Sequence, residues 1–156
     1  MTQRQIQVCG QTQASPTQLV HLAVALLARL RFRIPSHPEL ASSYEQILSV
    51  SATTRTTFYI SLIHLCRFHF KYIPDSHPLS SVASIQHLVL VSILVAAKFH
   101  LDRNMKNSVW SSSFGLPVTE IDAMEREFLG VLDYNLLVSA EEYEHFQFKF
   151  LNYLLV

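Results

Sequence analysis

The sequence predicts an all-α domain, and three observations lead there. Apolar residues recur at three- and four-residue spacing over most of the chain, with almost no alternation of period two. Only three glycines occur in 156 residues, which suits helices better than a β-sandwich with many tight turns. One stretch, residues 82–100, is apolar nearly all round, the mark of a helix surrounded by others. Five helices are expected, with that one buried at the centre.

The elements follow in order. Residues 1–15 are rich in Gln and Thr and are expected to form a flexible N-terminal tail, with residues 16–156 making one domain. The first helix is expected from Thr17 to Phe32, where Leu19, Leu22, Ala23, Leu26, Leu27 and Leu30 share a face. Ser15-Pro16-Thr17 marks its start, and Pro35 and Pro38 end it. Residues 34–53 read as a connection with at most a short helix around Tyr44–Val50.

The second helix spans Arg55 to Tyr72 on a stripe of Phe58, Leu62, Leu65 and Phe68, widened by Tyr59, Ile63 and Cys66. The third is Val82 to His100, and a loop over Leu101–Val118 is expected after it, because Gly115 and Pro117 prevent one long helix. The fourth opens at Thr119, where Thr119 and Asp122 resemble a capping box, and runs to Leu132. The fifth opens at the Ser139–Glu142 capping box and buries Tyr143, Phe146, Phe150, Tyr153 and Leu154.

Composition narrows the function. Formal net charge is zero, but residues 1–35 carry Arg4, Arg29, Arg31 and Arg33 and no acid, whereas residues 119–156 carry eight acids against Arg126 and Lys149. Such polarity can steer a polar partner, yet no dense Lys/Arg stripe points to nucleic acid. The longest apolar run is well short of the roughly 18 residues of a membrane span, and the N-terminus shows no signal-peptide core. Cys9 and Cys66 make no disulfide framework, so a reducing compartment, cytoplasmic or nuclear, is expected.

Chemistry-bearing motifs are scarce. There is no Gly-rich phosphate loop, no G-x-S-x-G, no HExxH and no paired CxxC. His64 and Cys66, two apart on a helix, lean to opposite faces and cannot chelate together, and His64 and His69 do little better. Neither metal, cofactor, catalytic residue nor small-molecule substrate is expected, and the serines of "VWSSSFG" read as turn formers or a phosphorylation target. Trp110 reads as a lid on the core or a binding hot spot, the lid being the commoner role.

Two charges stand out. Lys98 follows the ten-residue run Leu88–Ala97, which is apolar but for Ser92. On the fourth helix Ile121, Met124, Phe128 and Leu132 define the core stripe, and Glu125 falls inside the arc they share with Leu129, while Asp122, Arg126 and Glu127 fall outside it. A carboxylate at the edge of an apolar stripe is costly unless a cation or hydrogen-bond donors meet it. Pairing of Lys98 with Glu125 is the simplest resolution. Solvation of each at its helix end, with Lys98 favoured by the helix dipole, remains the alternative.

Taken together, "SILVAAKFHLDRNMKNSVW" and "GLPVTEIDAMEREFLGVLDYNLLVSAEEYEHF" resemble the cyclin box, most closely the PCL-type cyclins of fungi and the P/U-type cyclins of plants. The matching pieces are Ala96–Phe99, Asp102, Asn107 with Trp110, Gly115, Met124–Leu129 and Leu132–Leu136, covering about residues 82–150. Leu65-Cys66-Arg67 stands where many members have a "DR" pair, with Cys66 in place of the usual aspartate. The "MRAIL" signature of cell-cycle cyclins is not visible, and only one box is present.

The resemblance implies a five-helix cyclin box that binds and activates a cyclin-dependent protein kinase of the PCL-dependent type. In that family the corresponding lysine and glutamate contact each other and hold the backbone near the kinase C-helix. The roles carry over to Lys98 and Glu125, and the neighbouring apolar contacts to Phe99, Leu129, Tyr134 and Leu136. A scaffold or transcription-related adaptor whose cyclin box does not activate a kinase is the alternative.

Overall fold

The computed structural model describes residues 15–30, 36–51, 53–71, 82–100 and 106–152, and every segment of regular structure among them is helical. Among the described residues seven helices follow one another: α1 (Pro16–Arg29), α2 (His37–Ser51), α3 (Arg55–Lys71), α4 (Val82–His100), α5 (Asn107–Phe114), α6 (Val118–Val131) and α7 (Ala140–Asn152). The expected tail up to residue 14, Cys9, the end of the first helix beyond Leu30, Tyr72, Asp102, Tyr153 and Leu154 lie outside the described residues.

Helix α4 is the hub. From Ile85 to Ala97 every side chain is buried except Gln86 and His87. It packs against α2, α3 and α6, so no face is left for water. The buried hydroxyl of Ser92 donates back to Val89 O at 2.7 Å, which satisfies it without a partner from another helix.

The other stripes bury as expected. Phe58, Leu62, Leu65 and Phe68 of α3 and Ile121, Met124 and Phe128 of α6 are all core residues, as is Leu132 at the α6 C-cap. Phe68 stacks on Phe128 with centroids 5.4 Å apart. Helix α7 adds an aromatic cluster, where Phe150 meets Phe58, Tyr59 and Phe146. Helix α1 begins with a complete capping box: Ser15 Oγ accepts from Gln18 N at 3.2 Å, and Gln18 Oε1 accepts from Ser15 N at 2.9 Å.

One helix is longer than expected and one was not expected, and each has a physical reason. Helix α2 fills most of the presumed connection between the first and second helices. Pro38 does not end a helix; it is the second residue of one, where its missing N–H costs nothing. Ser36 Oγ accepts from Glu39 N at 3.3 Å, so Ser36-x-x-Glu39 was a legible start signal. Leu40, Ala41, Tyr44 and Ile47 then form its buried face.

Helix α5 occupies part of the presumed loop before the fourth helix. Its serines suggested turns, but Ser112 Oγ donates to Ser108 O at 3.0 Å, the back-bond that lets serine sit inside a helix. Trp110 is buried and stacks on Phe114, centroids 5.9 Å apart, so it is a lid on the core from a helix rather than a loop. Gly115 at φ 66° closes α5 in the left-handed region.

Two expected caps are also altered. Helix α6 begins at Val118 behind Pro117 at the N-cap, without a side-chain cap, so Thr119 lies inside it and Asp122 is free to work elsewhere. At α7, Ser139 Oγ accepts from Glu142 N at 3.1 Å, but the Glu142 carboxylate turns to Arg67 of α3 rather than back to the cap.

Candidate functional site

The end of α4 meets the middle of α6, and the two misplaced charges meet there. Lys98 Nζ lies 2.9 Å from Glu125 Oε1 and 3.1 Å from Oε2. The side chains are 30% and 17% exposed, so the pair is half-sheltered rather than solvated at two separate helix ends. Of the alternatives open from the pattern, pairing is the one observed.

Helix α5 completes the cluster. Asn107, its first residue, donates from Nδ2 to Glu125 Oε2 at 2.8 Å and to Asp122 Oδ1 at 2.6 Å. The amide orientation follows from its partners, because only the NH2 can face two carboxylates. Its Oδ1 is buried with no hydrogen-bond partner among the described residues. One lysine and one amide thus hold two carboxylates, leaving net negative charge around a fixed ammonium.

The apolar positions divide into two kinds. Phe99 is 47% exposed and Tyr134 is 68% exposed. Leu129 and Leu136 are half-buried and pack on the core, so they support the surface as much as they form it. Leu137, beside Leu136, is 71% exposed. Sequence reasoning did not single out Leu137, because side-chain alternation in an irregular connector has no period to read.

Tyr134 is carried by a specific turn. Tyr134 N donates to Leu129 O at 2.9 Å and Asp133 N to Gly130 O at 3.1 Å, the paired bonds of a Schellman C-cap. Asp133 and Tyr134 both take left-handed backbone angles, φ 53° and 56°, without being glycine. Arg67 and His64 of α3 donate to the carbonyls that follow, those of Asn135, Leu136 and Leu137, and Lys71 reaches that of Leu132 just before the turn. His64 is therefore a buried hydrogen-bond donor. Burial holds its pKa down to about 4, so the ring is neutral near pH 7.

Cys66, at the position where the resembled family has aspartate, is partly buried. Burial pushes its thiol up to about 11, so it brings no negative charge at neutral pH. The buried hydroxyl of Tyr44, whose pKa burial pushes up, has no hydrogen-bond partner among the described residues.

The family model described as Cyclin matches residues 6–136. The chain is 38% identical over 64 residues to Cyclin-P2-1 of Oryza sativa subsp. japonica, covering 41% of this chain and 30% of that protein. It is 33% identical over 85 residues to the G1/S-specific cyclin pas1 of Schizosaccharomyces pombe, covering 53% and 20% respectively. It is 24% identical over 102 residues to the PHO85 cyclin CLG1 of Saccharomyces cerevisiae, covering 64% and 23%. The chain spans between about a sixth and a half of the length of the curated relatives it matches. No solved structure matches it significantly. Among the described residues no helix is long and apolar enough to cross a membrane.

Proposed function

The chain belongs to the cyclin family, and we propose that it acts as a non-enzymatic regulatory subunit that binds and activates a cyclin-dependent protein kinase, in the cytoplasm or nucleus. The observation that carries this reading is the half-sheltered Lys98–Glu125 pair, with the large side chains of Phe99 and Tyr134 exposed. Two relatives in Saccharomyces cerevisiae are named PHO85 cyclins, which supports a kinase partner of the PCL-dependent type. The contact residues are Lys98, Phe99, Glu125, Leu129, Tyr134 and Leu136.

The physics of such a role is equilibrium control rather than chemistry. A kinase is active only with its C-helix glutamate paired to the strand lysine, and C-helix position is a control point. A subunit that binds the active position more tightly shifts the kinase toward it. Preformed polar groups suit the task because little ordering cost is incurred on binding. Lys98 and Glu125 satisfy each other before any partner arrives, and their remaining donor and acceptor capacity can then meet a partner's backbone.

The test is affinity purification of the full chain, with mass spectrometry for a kinase and an activity assay on the complex. We expect an active kinase with the wild type and none with Lys98→Glu. An inactive co-purified kinase would replace this reading with the scaffold. Equal recovery of kinase by Lys98→Glu would overturn the site.

A further inference from the structure

Three side chains on one face of α3 grip the connector between α6 and α7. Their positions, 64, 67 and 71, follow the three- and four-residue spacing that aligns a helix face. Arg67 Nη1 donates to Asn135 O at 2.9 Å, and its Nη2 donates to Leu137 O at 2.8 Å. The same Nη2 meets the Glu142 carboxylate at 2.8 and 2.9 Å. His64 Nε2 donates to Leu136 O at 3.0 Å, and Lys71 Nζ approaches Leu132 O at 3.5 Å. Carbonyls of four of the six residues 132–137 are thus held by α3 rather than by water or a neighbouring strand.

The grip offsets an unfavourable backbone. Two successive non-glycine residues in the left-handed region cost on the order of 1 kcal/mol each. A planar guanidinium that reaches two carbonyls and one carboxylate fixes direction as well as distance, which a lysine ammonium does not. Within the clamped segment Leu137 stays exposed while its neighbours Leu136 and Val138 are half-buried. An apolar side chain on a fixed backbone is the low-entropy anchor that an interface favours.

The connector also carries Tyr134 and Leu136, two of the contacts named above, and leads directly out of α6, the helix of Glu125, which packs against α4. Leu137 therefore continues the surface proposed to meet the kinase.

We propose that Arg67 is a positioning residue which presets this connector, and that Leu137 is an additional contact covered by an apolar patch on the kinase. The proposal rests on the kinase-binding reading, and its two halves have separate readouts. The first is hydrogen exchange of the full chain at Asp133, Tyr134, Asn135 and Leu136, whose amides are all hydrogen bonded within the connector or to α6. With Arg67→Ala we expect about tenfold faster exchange confined to these amides, and partial recovery with Arg67→Lys. Unchanged exchange, or a uniform rise across all seven helices, would overturn the positioning role.

The second readout is affinity for the kinase that co-purifies with the wild-type chain. Leu137→Ser should weaken it about tenfold, the scale of one well-placed apolar contact, without changing the exchange pattern. Unchanged affinity would overturn the contact role while leaving the Lys98–Glu125 site standing. Absence of any kinase would overturn the contact role together with the function on which it rests, and the exchange result would still decide the positioning role.

Discussion

Asn107 Nδ2 lies 2.8 Å from Glu125 Oε2, and this amide, not lysine alone, fixes the carboxylate. The same nitrogen reaches Asp122. Asn107→Ala should therefore destabilise by about 1–3 kcal/mol, because two carboxylates lose a donor in partly buried surroundings. Asn107→Asp should cost more, since it adds a third negative charge beside one lysine. Thermal melts of both variants against wild type check the order. A more stable Asn107→Asp would contradict it.

Lys98→Met keeps an unbranched side chain, one atom shorter, and removes its charge. With Lys98 about a third exposed, the ion pair should contribute no more than roughly 1 kcal/mol. We expect a small change in urea midpoint and loss of kinase capture. A large stability loss with capture retained would mark the pair as structural only.

Asp133→Gly should leave the fold intact and raise its stability by about 0.5–1 kcal/mol, because glycine adopts φ near 53° without the Cβ penalty. The substitution loses the Lys71–Asp133 pair, but that contact is 3.3 Å long and well exposed, so its contribution is small. Denaturant titration of the two chains decides the sign.

Stability should fall in acid through His64. Its folded pKa, about 4, lies below the ordinary 6.5, so the unfolded chain takes up the proton first. The contribution is fully present above about pH 6.5 and is lost as pH drops toward 4, at about 1.4 kcal/mol per pH unit. Burial is the main cause, with the Leu136 carbonyl and Glu142 opposing it and Arg67 and His100 adding to it. His64→Gln keeps a donor but removes the proton site. The stability difference between pH 7 and pH 5 should therefore shrink by about 2 kcal/mol in that variant.

Much of the fold was legible because burial imposes periodicity. The stripes of the first, second, fourth and fifth predicted helices and the all-round apolarity of α4 appear in the sequence for the same reason that they appear in the core. The helix foreseen only in part, α2, and the one missed, α5, were hidden by residues with double meanings. Pro38 reads as a stop unless Ser36 and Glu39 are read with it as a start, and the serines of α5 read as turns unless Trp110 and Phe114 are seen as one buried face. Of the site, Lys98 and Glu125 were legible because each breaks the pattern around it.

By itself, the sequence determined the helical class, the central position of residues 82–100, and the presence of two charges that needed a partner. Periodicity carries that information, since each helix must hide one face wherever it packs. Tertiary structure alone decided that Asn107 bridges Glu125 to Asp122, that Arg67 holds the carbonyls of Asn135 and Leu137, and that Leu137 rather than Leu136 faces outward. Those contacts join residues 15 to 70 positions apart through backbone oxygens and irregular turns. Such groups are common to every residue and leave no local trace in the pattern of side chains.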